Sequence, residues 1–174
     1  MTRRLFAVAL LPCGSLASGI DGLRRLVADP RRGDLPTHLT LVPPIALDES
    51  GVAGLPVALG RAARSVSPFE LELGPAASFA PRTSTLHLAV GGQLDRLSEL
   101  RDALRVEPLD RPDEHDFVPH VTLLQRATPA QVGAGLTLLS STFGFTHVRL
   151  YRCFSHKLFF TIFAHMGHAS ILCS

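Results

Sequence analysis

Two short strands constrain this chain more than any other feature in it. "HLTL" begins at His38 and "HVTL" at His120, 82 residues apart in a chain of 174. Each reads histidine, aliphatic residue, threonine, leucine. Side chains on a β-strand alternate between faces. His38 and Thr40 therefore share one face, with Leu39 and Leu41 on the other; His120 and Thr122 are opposed in the same way to Val121 and Leu123. Each strand can bury an aliphatic pair while offering an imidazole and a hydroxyl to whatever lies across from it. Random placement would produce two such strands roughly once in 200 chains of this composition. Coincidence is the weaker reading.

The rest of the chain divides around these strands. Residues 3–11 read as a buried strand. Arg3 and Arg4 before seven apolar residues resemble a signal-peptide start, but the run is short and ends at Pro12, so a first core strand fits better. Leu16, Ile20, Leu23, Leu26 and Val27 recur at helical spacing, and Pro30 and Gly33 close that helix. A strand over 37–42 is expected to stop at Pro43–Pro44, because proline cannot donate to a central ladder. A helix over 50–65 follows, then alternating strands over 69–74 and 83–90.

Leu94, Leu97, Leu100 and Leu104 predict a helix over 93–105 with an arginine-rich outer face. The strand carrying His120 spans 117–125. A helix over 129–140 has Thr128 as its cap and Pro129 in its first turn. Two closing strands are expected over 145–153 and 157–165. The result is one α+β domain over 1–174 with two similar halves, each holding one His-x-Thr strand. The tail over 153–174 is atypical. It contains Lys157, the only lysine beside sixteen arginines, and "MGHASILCS" matches neither a capped helix nor a clean strand.

Composition narrows the functional classes. A 46% apolar chain with mean hydropathy +0.24 belongs to a folded globular protein. Net charge +2 makes no strong electrostatic case for gripping long nucleic acid. Cys13, Cys153 and Cys173 are scattered, which argues against a disulfide framework or a zinc knuckle. No stretch approaches transmembrane length. The expectation is a cytoplasmic monomer without a membrane or an obligate protein partner.

Two imidazoles and two hydroxyls suit in-line displacement at phosphorus. Histidine titrates near neutrality, so one copy can be neutral while the other is protonated. One ring then takes a proton from the attacking oxygen and the other gives one to the departing oxygen. Threonine hydroxyls can donate hydrogen bonds to non-bridging phosphate oxygens. No metal or other cofactor is required. A zinc site is the rival, but catalytic zinc takes three protein ligands, and neither strand has another at ligand spacing. His115 and Asp116 precede His120 in a predicted loop.

The paired motifs resemble those of the two-histidine phosphoesterase superfamily, the 2′-5′ RNA ligase-like proteins. "RRLFAVALLP" is similar to the family's opening strand, "HLTLVPPI" to its first motif and "FVPHVTLL" to its second; "FELELGPAASFAP" is similar to the segment between them. The resemblance runs from about residue 3 to 152. It implies a bilobal, pseudo-symmetric fold, with two antiparallel sheets flanking a central cleft and helices outside. It also implies hydrolysis of 2′,3′-cyclic phosphates, on RNA ends or nucleotides, to 2′-phosphomonoesters. By the same resemblance His38 and His120 are catalytic and Thr40 and Thr122 bind phosphate. His38 would be the acid towards the 3′-oxygen and His120 the base for water, although the pseudo-symmetry leaves the reverse open. A non-catalytic nucleotide-binding module and a 2′-5′ RNA ligase are the alternatives; no P-loop is present for nucleotide activation. The sequence departs from many relatives in placing Gln125, followed by Arg126, where they carry arginine.

Other residues have plainer readings. His87 shares a face with Thr85 and could line a cleft, but a surface strand histidine is the default. Arg82 and Arg126 could contact phosphate, yet most arginines are solvated charge. Ser15 and Ser18 start a helix. Phe6 and Phe117 could stack on a base, with core packing the default for both. His156, His165 and His168 form a speculative metal set in the tail, and His147 has no strand-paired threonine.

Overall fold

The computed structural model describes residues 3–12, 14–143, 148–150, 159–164 and 167–172, with side chains up to Ser140. The three cysteines, His147, His156, His165 and the side chain of His168 lie outside the described residues, and with them the tail metal set. The order is β1 (Arg4–Leu10), α1 (Gly14–Leu26), β2 (Leu39–Leu47), α2 (Glu49–Ser65), β3 (Leu71–Ser78), β4 (Leu86–Gly92), α3 (Leu94–Leu104), β5 (His120–Leu124), α4 (Pro129–Phe143), β6 (Val148–Leu150), β7 (Phe159–Ala164) and β8 (Gly167–Leu172). Strand, helix and strand alternate twice, as the two-halves reading requires. Among the described residues no helix is long and apolar enough to cross a membrane.

The strands form an antiparallel arrangement in the order β6-β3-β4-β5-β2-β1-β7-β8. Of the described strands four belong to each lobe, and the lobes meet at β5 and β2. That seam is thin: its pairing register consists of Leu39 opposite Val121. The expected pair of sheets is thus continuous through one short junction. Beneath it, the aliphatic faces of the motif strands are buried. Leu41 and Leu123 are 1% and 0% exposed, and Leu39 and Val121 join them in one cluster with Ile20 and Leu23 of α1, Leu59 of α2 and Leu97 and Leu100 of α3. Each motif strand is therefore held by its leucines, which leaves the histidine face for chemistry.

Several helix ends are set locally. Asp48 caps α2 by accepting from the Gly51 amide at 2.9 Å. Thr128 accepts from the Gln131 amide at 3.2 Å, and the Gln131 side chain accepts from the Thr128 amide at 2.8 Å. That reciprocal pair is a capping box, and it confirms Thr128 as the cap of α4.

Several boundaries differ from the sequence reading, among them β3, which runs on to Ser78, and two differences have a cause in the pairing. Strand β2 continues through Pro43 and Pro44 to Leu47. The register explains how: Phe6 faces Ile45 and Val8 faces Val42, so two steps along β1 match three along β2. A bulge absorbs the prolines, which are exposed, and the β5 side of β2 has already opened there. The second difference is β8, which pairs with β7 from Gly167 to Leu172 where the sequence suggested no strand. Pairing with β7 supplies the backbone order that its composition does not announce.

Candidate active site

The seam register decides how the two motifs meet. Leu39 faces Val121 in an antiparallel pair, so His38 lies beside Thr122 and Thr40 beside His120. Each histidine is therefore matched with the other strand's threonine. The concavities follow the same grouping: His38 and Thr122 line one, Thr40 and His120 the other. The imidazoles occupy diagonal corners, where antiparallel strands hold positions about 7–8 Å apart. A phosphate between them would present attacking and leaving oxygens to opposite rings.

Both rings are oriented by one repeated device. His38 Nδ1 lies 2.8 Å from the Pro36 carbonyl oxygen, and His120 Nδ1 lies 2.8 Å from the Val118 carbonyl oxygen. Each partner is two residues upstream. A carbonyl only accepts, so Nδ1 carries the proton in the neutral ring and Nε2 is the nitrogen suited to proton exchange. Prolines help to place these carbonyls: the ring of Pro36 fixes its own φ, and Pro119 restricts Val118 before it to an extended conformation.

Burial holds His38 below the ordinary histidine value of 6.5. The Arg24 guanidinium and His120 act in the same direction, and the Pro36 hydrogen bond opposes them.

A third histidine reaches the site. His87 on β4 pairs directly with Thr122 on β5 and is 4% exposed, so the surface reading fails. Its ring stacks on Phe79 (4.0 Å between centroids, 19° between planes) and meets His120 edge-on at 5.3 Å. Phe79 also packs edge-on against His120 at 4.8 Å. His120 is thus walled by two rings as well as bonded at Nδ1. Burial and the neighbouring His120 lower the His87 pKa. Its Nδ1 is buried, and the Thr85 backbone, two residues upstream, opposes the shift.

These two histidines predict a pH dependence of stability. Their folded-state values lie below the unfolded value, so the unfolded chain binds protons that the native protein resists. Their contribution is complete above pH 6.5 and declines as pH falls below it. Asp48 and Asp113, lowered from 3.8, act only at still lower pH. Urea midpoints are expected to fall between pH 7.5 and 5, and His87→Phe should flatten that fall. An unchanged slope in His87→Phe would remove His87 from the account.

A cavity of about 360 Å³ opens on the His120 and Thr40 side, where β2 and β5 separate. Phe79, Phe117, Leu41 and Pro43 supply apolar wall, Arg82, Arg101 and Arg111 supply positive charge, and Asp113, Glu114 and Asp116 supply negative charge. The loop 105–119 closes it, anchored by Leu109, which is fully buried, and by Arg111, which donates to the Pro44 carbonyl at 2.8 Å. His115 and Asp116 are exposed on this loop. Among the described residues no three His, Cys, Asp or Glu side chains are grouped to hold a metal.

The remaining candidates sort clearly. Phe6 is core, at 4% exposure, whereas Phe117 lines the cavity. Arg82 lines it too; Arg126 is exposed at φ +54° and lines neither concavity. Gln125 borders His38 and Thr122. Ser15 and Ser18 lie in α1, away from either concavity's lining. Among the described residues two arginines depart from the solvated-charge reading: Arg24 and Arg101 are 5% and 9% exposed. The signal was present in sequence. Ile20, Leu23, Arg24 and Val27, and likewise Leu97, Leu100, Arg101 and Leu104, follow the i, i+3, i+4, i+7 spacing of one helix face.

Crossed histidine–threonine pairs on a two-lobed antiparallel sheet define a class of protein, one built around paired imidazoles on adjacent strands. Comparison with known proteins supplies its family. A model of the 2′-5′ RNA ligase superfamily matches residues 12–154. Candidate phosphoesterases of Bacillus pumilus and Halalkalibacterium halodurans are each 31% identical, over 70% and 69% of both chains respectively. Another from Oceanobacillus iheyensis is 28% identical over 69% of both. The fold is similar to that of E. coli LigT complexed with 3′-AMP, with TM-score 0.51 and 20% identity, covering 99% of this chain and 95% of that one. The chain belongs to the 2′-5′ RNA ligase superfamily, the two-histidine phosphoesterases.

Proposed function

We propose that this protein hydrolyses 2′,3′-cyclic phosphates, on RNA ends or nucleotides, to 2′-phosphomonoesters. The observation that carries the reading is the crossed arrangement of His38 with Thr122 and Thr40 with His120, with both Nδ1 atoms held by carbonyls. Water attacks phosphorus in line, and His120 Nε2 takes its proton. The bond from phosphorus to the 3′-oxygen breaks, and His38 donates a proton to that oxygen. The products are a 2′-phosphate and a free 3′-hydroxyl. Thr40 and Thr122 donate to the non-bridging oxygens, where charge builds in the transition state. The cavity beside His120 suits the nucleoside; E. coli LigT, which shares the fold, was crystallised with 3′-AMP.

The acid role for His38 carries an electrostatic condition. Burial and Arg24 favour its neutral form, so the substrate's phosphate charge must offset them before His38 can donate.

Incubation with 2′,3′-cyclic nucleotides in EDTA tests the proposal. Accumulation of 2′-monophosphate is expected. Binding without product would replace the enzyme with a recognition module, and product lost only on chelation would require a metal.

A further inference from the structure

The geometry points to Arg24 and Arg101 as paired positioning residues, each anchoring the loop that delivers one catalytic histidine; their link to catalysis rests on the proposed reaction. The two arginines occupy matching places. Each lies on the buried face of the helix preceding a motif strand, α1 for Arg24 and α3 for Arg101. Each also pairs with an aspartate in the following loop. Arg24 Nε lies 2.8 Å from Asp29, and Arg101 bonds Asp113.

Their remaining contacts converge on equivalent points. Arg24 donates through Nη1 to the Leu35 carbonyl at 2.7 Å and through Nη2 to the Arg31 carbonyl at 3.1 Å. The next carbonyl after Leu35 belongs to Pro36, which orients His38. The Arg101 guanidinium covers the Phe117 ring at 4.3 Å and donates from Nε to the Leu41 carbonyl at 3.2 Å. The residue after Phe117 is Val118, whose carbonyl orients His120. Each arginine thus grips the residue three before a histidine, one step from the carbonyl that bonds its ring. Arg101 also holds β2 beside Thr40, which ties the second half to the first.

Arginine suits this task because its planar fork makes several hydrogen bonds in fixed directions. Lysine keeps the charge and loses the fork. The loops need such an anchor because both are irregular. Misplacing a reacting group by about 1 Å can cost 10²-fold in rate.

Among the described residues, the charged and titratable groups facing His38 include Arg24 on α1, Asp29 and Arg31 in the loop, and His120 on β5. Removing the Arg24 charge should therefore raise the His38 titration midpoint.

The experiment compares Arg24→Gln, Arg24→Lys and Arg101→Gln with Arg25→Gln, an exposed control next to Arg24. Imidazole 15N NMR on the full chain reads the tautomer without substrate, and hydrolysis of a 2′,3′-cyclic nucleotide reads the rate. The wild type should show His38 and His120 protonated at Nδ1. Arg24→Gln should mix the His38 tautomers and raise its midpoint, and Arg101→Gln should mix those of His120. In both, kcat should fall about 10- to 100-fold, and in Arg24→Gln, at a position that does not line the large cavity, KM should change by less than about threefold. Arg24→Lys should lose the tautomer preference while leaving the midpoint shift smaller.

Unchanged tautomers with kcat within threefold of wild type in both glutamine variants would overturn the inference. If Arg24→Gln does not fold, a folded Arg24→Lys with intact tautomer and rate overturns it instead. A wild type without hydrolytic activity would defeat the proposed reaction alone, because the NMR outcome still decides whether the arginines position the rings.

Discussion

His38→Ala and His120→Ala are each expected to lower kcat/KM for a 2′,3′-cyclic nucleotide by at least ~10²-fold, the scale of general acid–base catalysis. The double variant should be little worse than either single one, because the two rings serve one concerted transfer. The leaving group separates their roles. Departing p-nitrophenolate needs no proton, so a p-nitrophenyl phosphodiester should largely bypass the acid. With His38 as acid, His38→Ala should recover most of its activity on that substrate and His120→Ala should not. Recovery in His120→Ala instead would reverse the roles. Full activity of either alanine variant on the cyclic nucleotide would end the two-histidine reading.

Asp29→Ala is expected to destabilise the fold by about 3–5 kcal/mol, the cost of leaving a buried charge without its partner. Both side chains of the Arg24–Asp29 pair are 6% exposed, and their contact is 2.8 Å. Arg24 would keep the Leu35 and Arg31 carbonyls, which places the effect towards the lower figure. Arg96 and Glu99 give the contrast. Their contact is also 2.8 Å, but they are 45% and 50% exposed, so Glu99→Ala should leave the unfolding midpoint nearly unchanged. Urea unfolding of both variants provides the measurement. Equal losses would mean that burial does not set the worth of the Arg24 pair.

Much of the site was legible because strand alternation is local. The positions of His38, Thr40, His120 and Thr122 relative to their leucines need only a period of two. The helices were legible for a similar reason, since leucines such as Leu97, Leu100 and Leu104 mark a face directly. His87 was misread because its own strand cannot reveal what covers it. Burial came from Phe79 and His120, brought there by the β4–β5 pairing and the turn after β3. Pro43 and Pro44 misled because their effect depends on the neighbour: a bulge against β1 and an open side towards β5 let the strand continue.

The arginines show the same division from another side. Sequence spacing places Arg24 and Arg101 on buried helix faces, but charge alone argues for solvent. Only the tertiary structure supplies Asp29, Asp113 and the carbonyls that make burial tolerable.

By itself, the sequence determined that two strands each carry an imidazole and a hydroxyl on one face, because that follows from covalent order and strand geometry. The tertiary structure decided which histidine meets which threonine. Leu39 opposite Val121 is a contact between residues far apart in the chain, and a shift of one residue would turn one motif's face away from the other. Register, set by packing across the seam, makes two local patterns into one site.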